Sequence, residues 1–520
     1  MFDDRRDIPS QRDQVQNNRA AKRQKVINEK VDGNSYMSIS FTPEEIAADQ
    51  RRPKRKVAVM IGYAGTGYHG IQINHKDKTI EGDLFAAFVA AGAISKANAD
   101  DPKKSQLVRC ARTDKGVHAA ANVLSMKLII EDEDIVDKIN ARLPDQIRVW
   151  GIQRVNGGFN CYQGCESRWY EYLMPSYALL PPHPNSFLGK KIESSATEKG
   201  IYHEYLERQG ELKNFWEEVE KNDIQPILAK MDPELRAEVL RIVRDAADQD
   251  LDESEEAPKQ PLAKAEESGA QITDAPAQPT AEETADTSAQ ATADSKPEAT
   301  QESGNTDTVM ADAETTVSAD ATAAPAKEEE AEKELTPVEK AVREVKAAYV
   351  AAKRRYRVTP DRIEKLQEAL NLYLGTHNFH NYTVLKRFSD PSAKRHIKSF
   401  DVNKTPIPIR DTEWLSLKVH GQSFMMHQIR KMVAMAVMTV RSGAPLDLIK
   451  ESYGNRRISI PKAPGLGLLL ERPMFTQANI KLKNLGLEEV DFAKYDDKIQ
   501  AFKDEHIYRR MFELEEKENS

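Results

Sequence analysis

Residues 251–330 contain no Phe, Trp or Tyr and are dominated by Ala, Thr, Glu, Asp, Ser and Pro. Such a stretch cannot bury enough apolar surface to offset the entropy of an ordered chain, so it is expected to be disordered. Folded patterning resumes after it. It is therefore an insert, and any folded body has to be assembled from two separated pieces of chain. The insert also masks the charge of that body. The chain carries a net charge of −8, while residues 251–330 hold 20 Asp and Glu against 4 Lys, a net of −16, which leaves +8 on the rest. A basic body with an acidic insert suits a polyanionic partner. A length of 520 residues exceeds one ordinary core and implies two domains or more. Three cysteines point to a reducing compartment without a disulfide framework. No apolar run reaches membrane-spanning length, and the N-terminus lacks the apolar core of a signal peptide, so no membrane partner is expected.

In chain order, residues 1–54 read as a disordered basic tail with clusters at 20–26 and 51–56. These are candidate signals for the nuclear import machinery and place the chain in the nucleus. Residues 55–180 read as an N-terminal catalytic subdomain. A buried strand from Val57 leads into the Gly-rich turn 65–70, and Thr79 caps a helix bearing Leu84, Phe85 and Phe88. The turn is only loosely like a dinucleotide fingerprint, because its third glycine is misplaced and no helix opens from it. Leu124, Met126, Leu128 and Ile130 alternate as a half-buried strand. In the strand candidate at 167–175, Arg168, Tyr170 and Tyr172 share one face. Residues 181–250 read as partly helical and 251–335 as the insert. Residues 340–480 read as a C-terminal subdomain completing the site, and 481–520 as helical decoration.

Two elements carry candidate chemistry. Residues 109–119 gather Arg112, Asp114, Lys115 and His118 around Gly116, on a loop between two apolar runs. Far along the chain, a helix spanning about 423–443 has Met426, Ile429, Val433 and Val437 on its apolar stripe, with Arg430 against the same face. A guanidinium buried there is costly without a carboxylate, and Asp114 is the natural partner.

Six ordered motifs then resemble the TruA-type tRNA pseudouridine synthases. They are Gly-Thr-Gly-Tyr-His-Gly (65–70), Arg-Thr-Asp-Lys-Gly-Val-His-Ala (112–119), Arg-Trp-Tyr-Glu-Tyr (168–172), Gly-Thr-His-Asn-Phe-His-Asn-Tyr (375–382), Gly-Gln-Ser-Phe-Met-Met-His-Gln-Ile-Arg-Lys-Met (421–432) and Pro-Lys-Ala-Pro-Gly-Leu-Gly-Leu-Leu-Leu (461–470). The insert and basic N-terminus are most like the eukaryotic nuclear, multisite-specific branch. The resemblance implies an α+β fold of two α/β subdomains whose antiparallel sheets join, flanked by helices, around a central basic RNA-binding cleft. It implies isomerisation of uridine to pseudouridine in tRNA, with small nuclear RNA and mRNA as further substrates, by a monomer. By motif position, Asp114 is the catalytic aspartate, Tyr170 the active-site tyrosine and Arg430 the arginine paired with the aspartate. Arg112 would stand beside the flipped nucleotide. Lys115, His118, Tyr68, His69, Arg168 and His427 are the further candidate substrate contacts.

The reaction breaks a C–N glycosidic bond, turns the uracil and forms a C–C bond, so no redox or nucleotide cofactor is required. Asp114 can act as a nucleophile or as a base at the ribose 2′ position. Tyr170 can stack on the base and help remove the proton from uracil C5. Cys161 and Cys165 have a spacing seen in some zinc sites, so a bound zinc is a secondary expectation, although no Cys-x-x-Cys pair or four-ligand set accompanies them. The alternative function is a catalytically silent RNA-binding or tRNA-chaperone protein on the same fold. A hydrolase or phosphotransferase would want a second clustered carboxylate or a P-loop.

Overall fold

The computed structural model describes residues 41–74, 76–249 and 336–518. The basic cluster at 20–26 and the acidic insert 251–335 lie outside the described residues. The strand-forming runs build one sheet of ten strands: β1 (Arg55–Tyr63), β2 (Val108–Arg109), β3 (His118–Leu128), β4 (Ile147–Arg154), β5 (Ser167–Pro175), β6 (Gly375–Asn378), β7 (Lys394–Val402), β8 (Ile407–Ile409), β9 (Thr412–Gly421) and β10 (Leu468–Met474). The order is β4-β1-β3-β10-β5-β9-β7-β6, with β2 on β3 and β8 on β9. Every pairing is antiparallel except that of β3 with β10.

The two pieces of chain are interlocked. β5, from before the insert, pairs with β9, from after it, running from Arg168 opposite Gly421 to Pro175 opposite Trp414. β10 slots between β3 and β5, with Leu469 opposite His118 and Leu470 opposite Ala119 and Tyr170. The expected joined antiparallel sheets thus form as a continuous sheet with one parallel seam.

This sheet is apolar on both faces, so it needs cover on both. On one side Val57, Val59, Leu124, Met126 and Leu417 pack with the helices Ile80–Ala90, Pro360–Asn371 and Gln428–Arg441 through Phe88, Leu366 and Met432. The residues between them, Ala58, Met60, Ala121, Val123 and Leu469, face the opposite way and meet Phe475, Leu482, Phe492, Phe502, Ile507 and Met511. The chain after residue 480, read from sequence as decoration, is therefore the second cover of the sheet. Each of its buried Phe and Met side chains contributes about 1.5–3 kcal/mol as an upper figure. A separate small core of Trp216, Val219, Ile224, Leu228, Val239 and Val345 joins the helices Pro233–Gln249 and Pro337–Arg355, which bracket residues 250–335.

Two sequence expectations change. Order begins before residue 54: Thr42 and Glu45 form a capping box on the helix Pro43–Ala48, and Arg52 pairs with Asp132 at 3.3 Å. The second basic cluster is therefore partly built into the fold, because carboxylates at 131 and 132 meet its arginines. The helix expected from 423 starts at Gln428, since His427 holds a left-handed backbone (φ 63°) at the N-cap. Met426 consequently lies outside the apolar stripe and is 58% exposed.

Candidate active site

Asp114 sits on the connection between β2 and β3, and that connection is fixed from two sides. From β3, the fully buried Asn122 accepts the Ala111 amide (3.3 Å) and donates to the Ala111 carbonyl (3.1 Å) and to the Tyr63 hydroxyl (3.2 Å). Tyr63 in turn meets the Thr113 hydroxyl at 2.9 Å. On the other side stands the Gly-rich turn. The Gly65 amide donates to His118 Nδ1 at 3.1 Å. The Gly116 amide donates to the Tyr68 carbonyl, and the Ile71 amide to the Thr113 carbonyl, each at 3.3 Å. Only glycine allows this approach: a Cβ would lie 2.1 Å from the Val117 carbonyl oxygen at Gly65 and 2.7 Å from that of Thr113 at Gly70. The turn that loosely suggested a nucleotide loop is a buttress for Asp114.

The partner of Asp114 is His427. Its Nδ1 lies 2.9 Å from Asp114 Oδ2, with the Asp114 side chain 34% exposed and that of His427 17% exposed. Burial holds the His427 imidazole below its ordinary range. Asp114 opposes this, while Lys462 and Arg430 reinforce it. A neutral ring beside a carboxylate carries its proton on Nδ1 and donates it to Asp114.

Arg430 does not do what its place on the helix suggested. Among the described residues it forms no ion pair with Asp114. Its Nε donates to the Ala463 carbonyl at 2.6 Å, and the Ala463 amide returns to the Arg430 carbonyl at 3.2 Å. The side chain is only half-buried, so the guanidinium keeps access to solvent and the carboxylate that full burial would have called for is not needed. Gly465 passes close by: a Cβ there would stand 3.4 Å from the Lys115 carbonyl oxygen and 3.5 Å from Arg430 Nη1. Arg430 therefore pins the 461–467 turn over the Asp114 loop.

β5 supplies the opposite wall. Tyr170 is buried edge-on against Phe424, with ring centroids 5.3 Å apart. Burial raises its phenol far above the ordinary range, the nearby Asp114 adding to this, so the hydroxyl stays protonated. Arg168, also buried, donates to the Cys110 carbonyl (2.9 Å) and the Gln422 carbonyl (3.2 Å). It straps the Asp114 loop to the segment that leads into His427. Tyr172 donates to the Pro464 carbonyl at 3.0 Å.

The fold thus brings together Asp114, Tyr170, Arg430, Arg168 and His427, with Arg112 and Lys115 exposed on the Asp114 loop. Three expected substrate contacts are corrected. His118 is fully buried under Gly65, and burial pushes its imidazole down to about 4. Tyr68 is buried and donates to Asp83 at 2.6 Å. Arg168 is spent on backbone carbonyls. All three are buried and bonded within the protein. His69 remains exposed, 3.9 Å from Asp77. Sequence reasoning missed Asn122, whose position just ahead of the alternating run gave no signal, and Ala463, which acts through its backbone. The secondary expectation of zinc finds no donor set: among the described residues no group of three or more His, Cys, Asp and Glu is placed to hold a metal.

Comparison with known proteins shows the family. Residues 369–476 match a family model described as tRNA pseudouridine synthase. The chain belongs to the tRNA pseudouridine synthase family. Among its relatives is the tRNA pseudouridine synthase 1 of Schizosaccharomyces pombe, 43% identical over 93% of this chain and 84% of the relative. That of Candida glabrata is 41% identical over 91% of this chain and 70% of the relative. The tRNA pseudouridine(27/28) synthase of Saccharomyces cerevisiae is 32% identical over 82% of this chain and 86% of the relative.

Proposed function

We propose that this chain isomerises uridine to pseudouridine in tRNA with Asp114 as its catalytic carboxylate, and that it works in the nucleus, on small nuclear RNA and mRNA as well. The observation that carries the reading is the mounting of Asp114. Its loop is locked by Asn122 and by Gly65 and Gly70, and one oxygen is held by His427. The side chain is still a third exposed, so a ribose can reach it. Positioning of this kind is what a reaction at a single carbon needs.

The chemistry then runs on the chain's own side chains. The C1′–N1 bond breaks, the freed uracil turns, C1′ bonds to C5, the C5 proton departs and N1 gains one. Asp114 serves either as the nucleophile or as the base at the ribose 2′ position. His427, neutral and donating to Oδ2, fixes the carboxylate without neutralising it. The protonated Tyr170 forms the wall on which the uracil stacks, and as the new bond forms its hydroxyl takes the C5 proton while giving its own to water, which in turn protonates N1. Arg112 and Lys115, on the same loop, meet the flipped nucleotide and its phosphates, and a target held in a helix costs a few kcal/mol to extrude. The basic cluster at 20–26 supports a nuclear location. The test is site-resolved pseudouridine mapping of cellular RNA with and without the chain. Loss at tRNA, small nuclear RNA and mRNA sites is expected. Loss at tRNA sites alone removes the other two substrates, and no loss anywhere overturns the reading.

A further inference from the structure

Among the described residues, four that are not glycine hold a left-handed backbone, and two of them, Leu385 (φ 59°) and His427 (φ 63°), belong to loops tied to one another. The tie is the Thr383 hydroxyl, which donates to the Met426 carbonyl at 3.0 Å. Leucine is disfavoured in this region because its Cβ crowds the carbonyl. Strain of that kind persists only where the surroundings impose it, and it gathers at working sites.

The surroundings here do impose it. Asn381 is fully buried. Its amide donates to the carbonyls of Ser452 and Arg456, each at 2.9 Å, and its oxygen accepts the Ile458 amide at 3.1 Å. The Tyr382 hydroxyl meets that of Ser452 at 2.7 Å. Arg457 spans the loop, donating to the carbonyls of His380 (3.3 Å) and Lys386 (3.2 Å). On this mount Leu385 stands 88% exposed, with Val384 at 39% beside it and Met426 at 58% on the tied loop. Met426 immediately precedes His427, the partner of Asp114. Exposed cations lie on the same segments: Arg387 two residues beyond Leu385, Arg456, whose carbonyl accepts from Asn381, and Lys462, whose charge acts on His427. A rigid loop that holds a leucine out in water, in a strained conformation, on a segment with exposed cations and tied to the loop that carries the partner of Asp114, is built for a partner that is anionic outside and apolar between its layers. A stacked RNA helix has that chemistry: phosphates for the cations and base faces for the leucine.

We propose that Leu385, backed by Met426, is a wedge that enters the base stack where the target uridine leaves it, a positioning role that rests on the pseudouridine synthase reading above. The wedge fills the gap and slows the return of the base, so it matters most where the target is paired.

The test uses the full chain and two RNAs that differ only in the nucleotide opposite the target uridine, adenine in one and an abasic site in the other. Leu385→Ala is expected to lower kcat/KM about tenfold or more on the paired RNA and less than about threefold on the abasic one. Leu385→Met should recover most of the loss. 2-Aminopurine placed beside the target should brighten on binding the wild-type chain and not on binding Leu385→Ala. Equal losses on both RNAs would show a merely structural role and overturn the proposal. No loss on either would also overturn it and leave the exposed Leu385 loop as a protein contact surface. Asp114→Asn is run alongside. If it turns over like the wild type, the parent reading fails, whereas the wedge is judged only by the dependence of Leu385→Ala on pairing.

Discussion

Replacing Gly70 by alanine tests whether the Gly-rich turn holds the reactive loop by contact. Gly70 has φ +88°, and a Cβ there would stand 2.7 Å from the Thr113 carbonyl oxygen and 3.3 Å from the Asp114 carbonyl carbon. Ordinary contact begins at 3.4 Å, so the backbone next to Asp114 must give by the difference, about 0.7 Å. The obstacle is main chain, and Asn122 and Tyr63 brace it from behind, so the strain reaches the carboxylate. A left-handed alanine adds about 1 kcal/mol of its own. Misplacement of a reacting group by close to 1 Å costs on the order of a hundredfold, so kcat should fall roughly 10- to 100-fold. The control is Gly67→Ala, at φ +84° with nothing within 4 Å of its Cβ. It carries the same backbone penalty, about 1 kcal/mol of stability, without the push, and should keep kcat near wild type. The assay is release of tritium from uracil C5 of labelled tRNA, with urea unfolding of each variant beside it. Wild-type kcat in Gly70→Ala, or equal losses in the two variants, would refute the reasoning.

His118 gives a pH dependence whose sign follows from burial. Its folded imidazole is pushed down to about 4 from an ordinary 6.5, so between those values the unfolded chain binds the extra proton. Stability is lost as pH falls through that window, by roughly 3 kcal/mol. Urea midpoints at pH 7 and pH 4.5 should differ by less in His118→Asn, whose carbonyl can still accept the Gly65 amide; an unchanged difference would assign the acid loss to other groups. Lys503 is 5% exposed, with its amine 2.9 Å from Glu471 and 3.6 Å from Glu171. Lys503→Met leaves the buried Glu171 and the half-buried Glu471 without their cation and should cost about 3–5 kcal/mol in urea unfolding; a cost under about 1 kcal/mol would show that the charges are relieved by solvent.

How much of this was legible before the structure depends on where the information lies. Asp114 stood out because an acid among bases beside a glycine is a local pattern. The apolar run at 57–61 became an interior strand because its composition suits nothing else. The Asp114 partner was not legible. Arg430 is only half-buried, so its charge needs no carboxylate, and the backbone carbonyl it does meet, that of Ala463, leaves no mark in a sequence. The start of the Gln428–Arg441 helix was missed because one left-handed residue, His427, decided it. Tyr68 and His118 looked like ligand contacts because they lie in motifs, yet motif residues also hold loops. The role of the C-terminal helices was hidden for another reason. β3 was read as half-buried from Leu124, Met126 and Leu128, and Ala121 and Val123, just before them on the other face, are small enough to pass as surface until Phe492 and Phe502 are seen to cover them.

The central claim is that Asp114 does the chemistry on uridine in folded RNA. It is tested most directly by single-nucleotide pseudouridine mapping of transcribed tRNA treated with the purified chain or with Asp114→Asn. The account predicts pseudouridine at discrete positions with the wild type and none with the variant. RNA affinity should stay within about threefold, since phosphate contacts by the basic surface dominate binding. Pseudouridine formed by Asp114→Asn at the wild-type rate would contradict it.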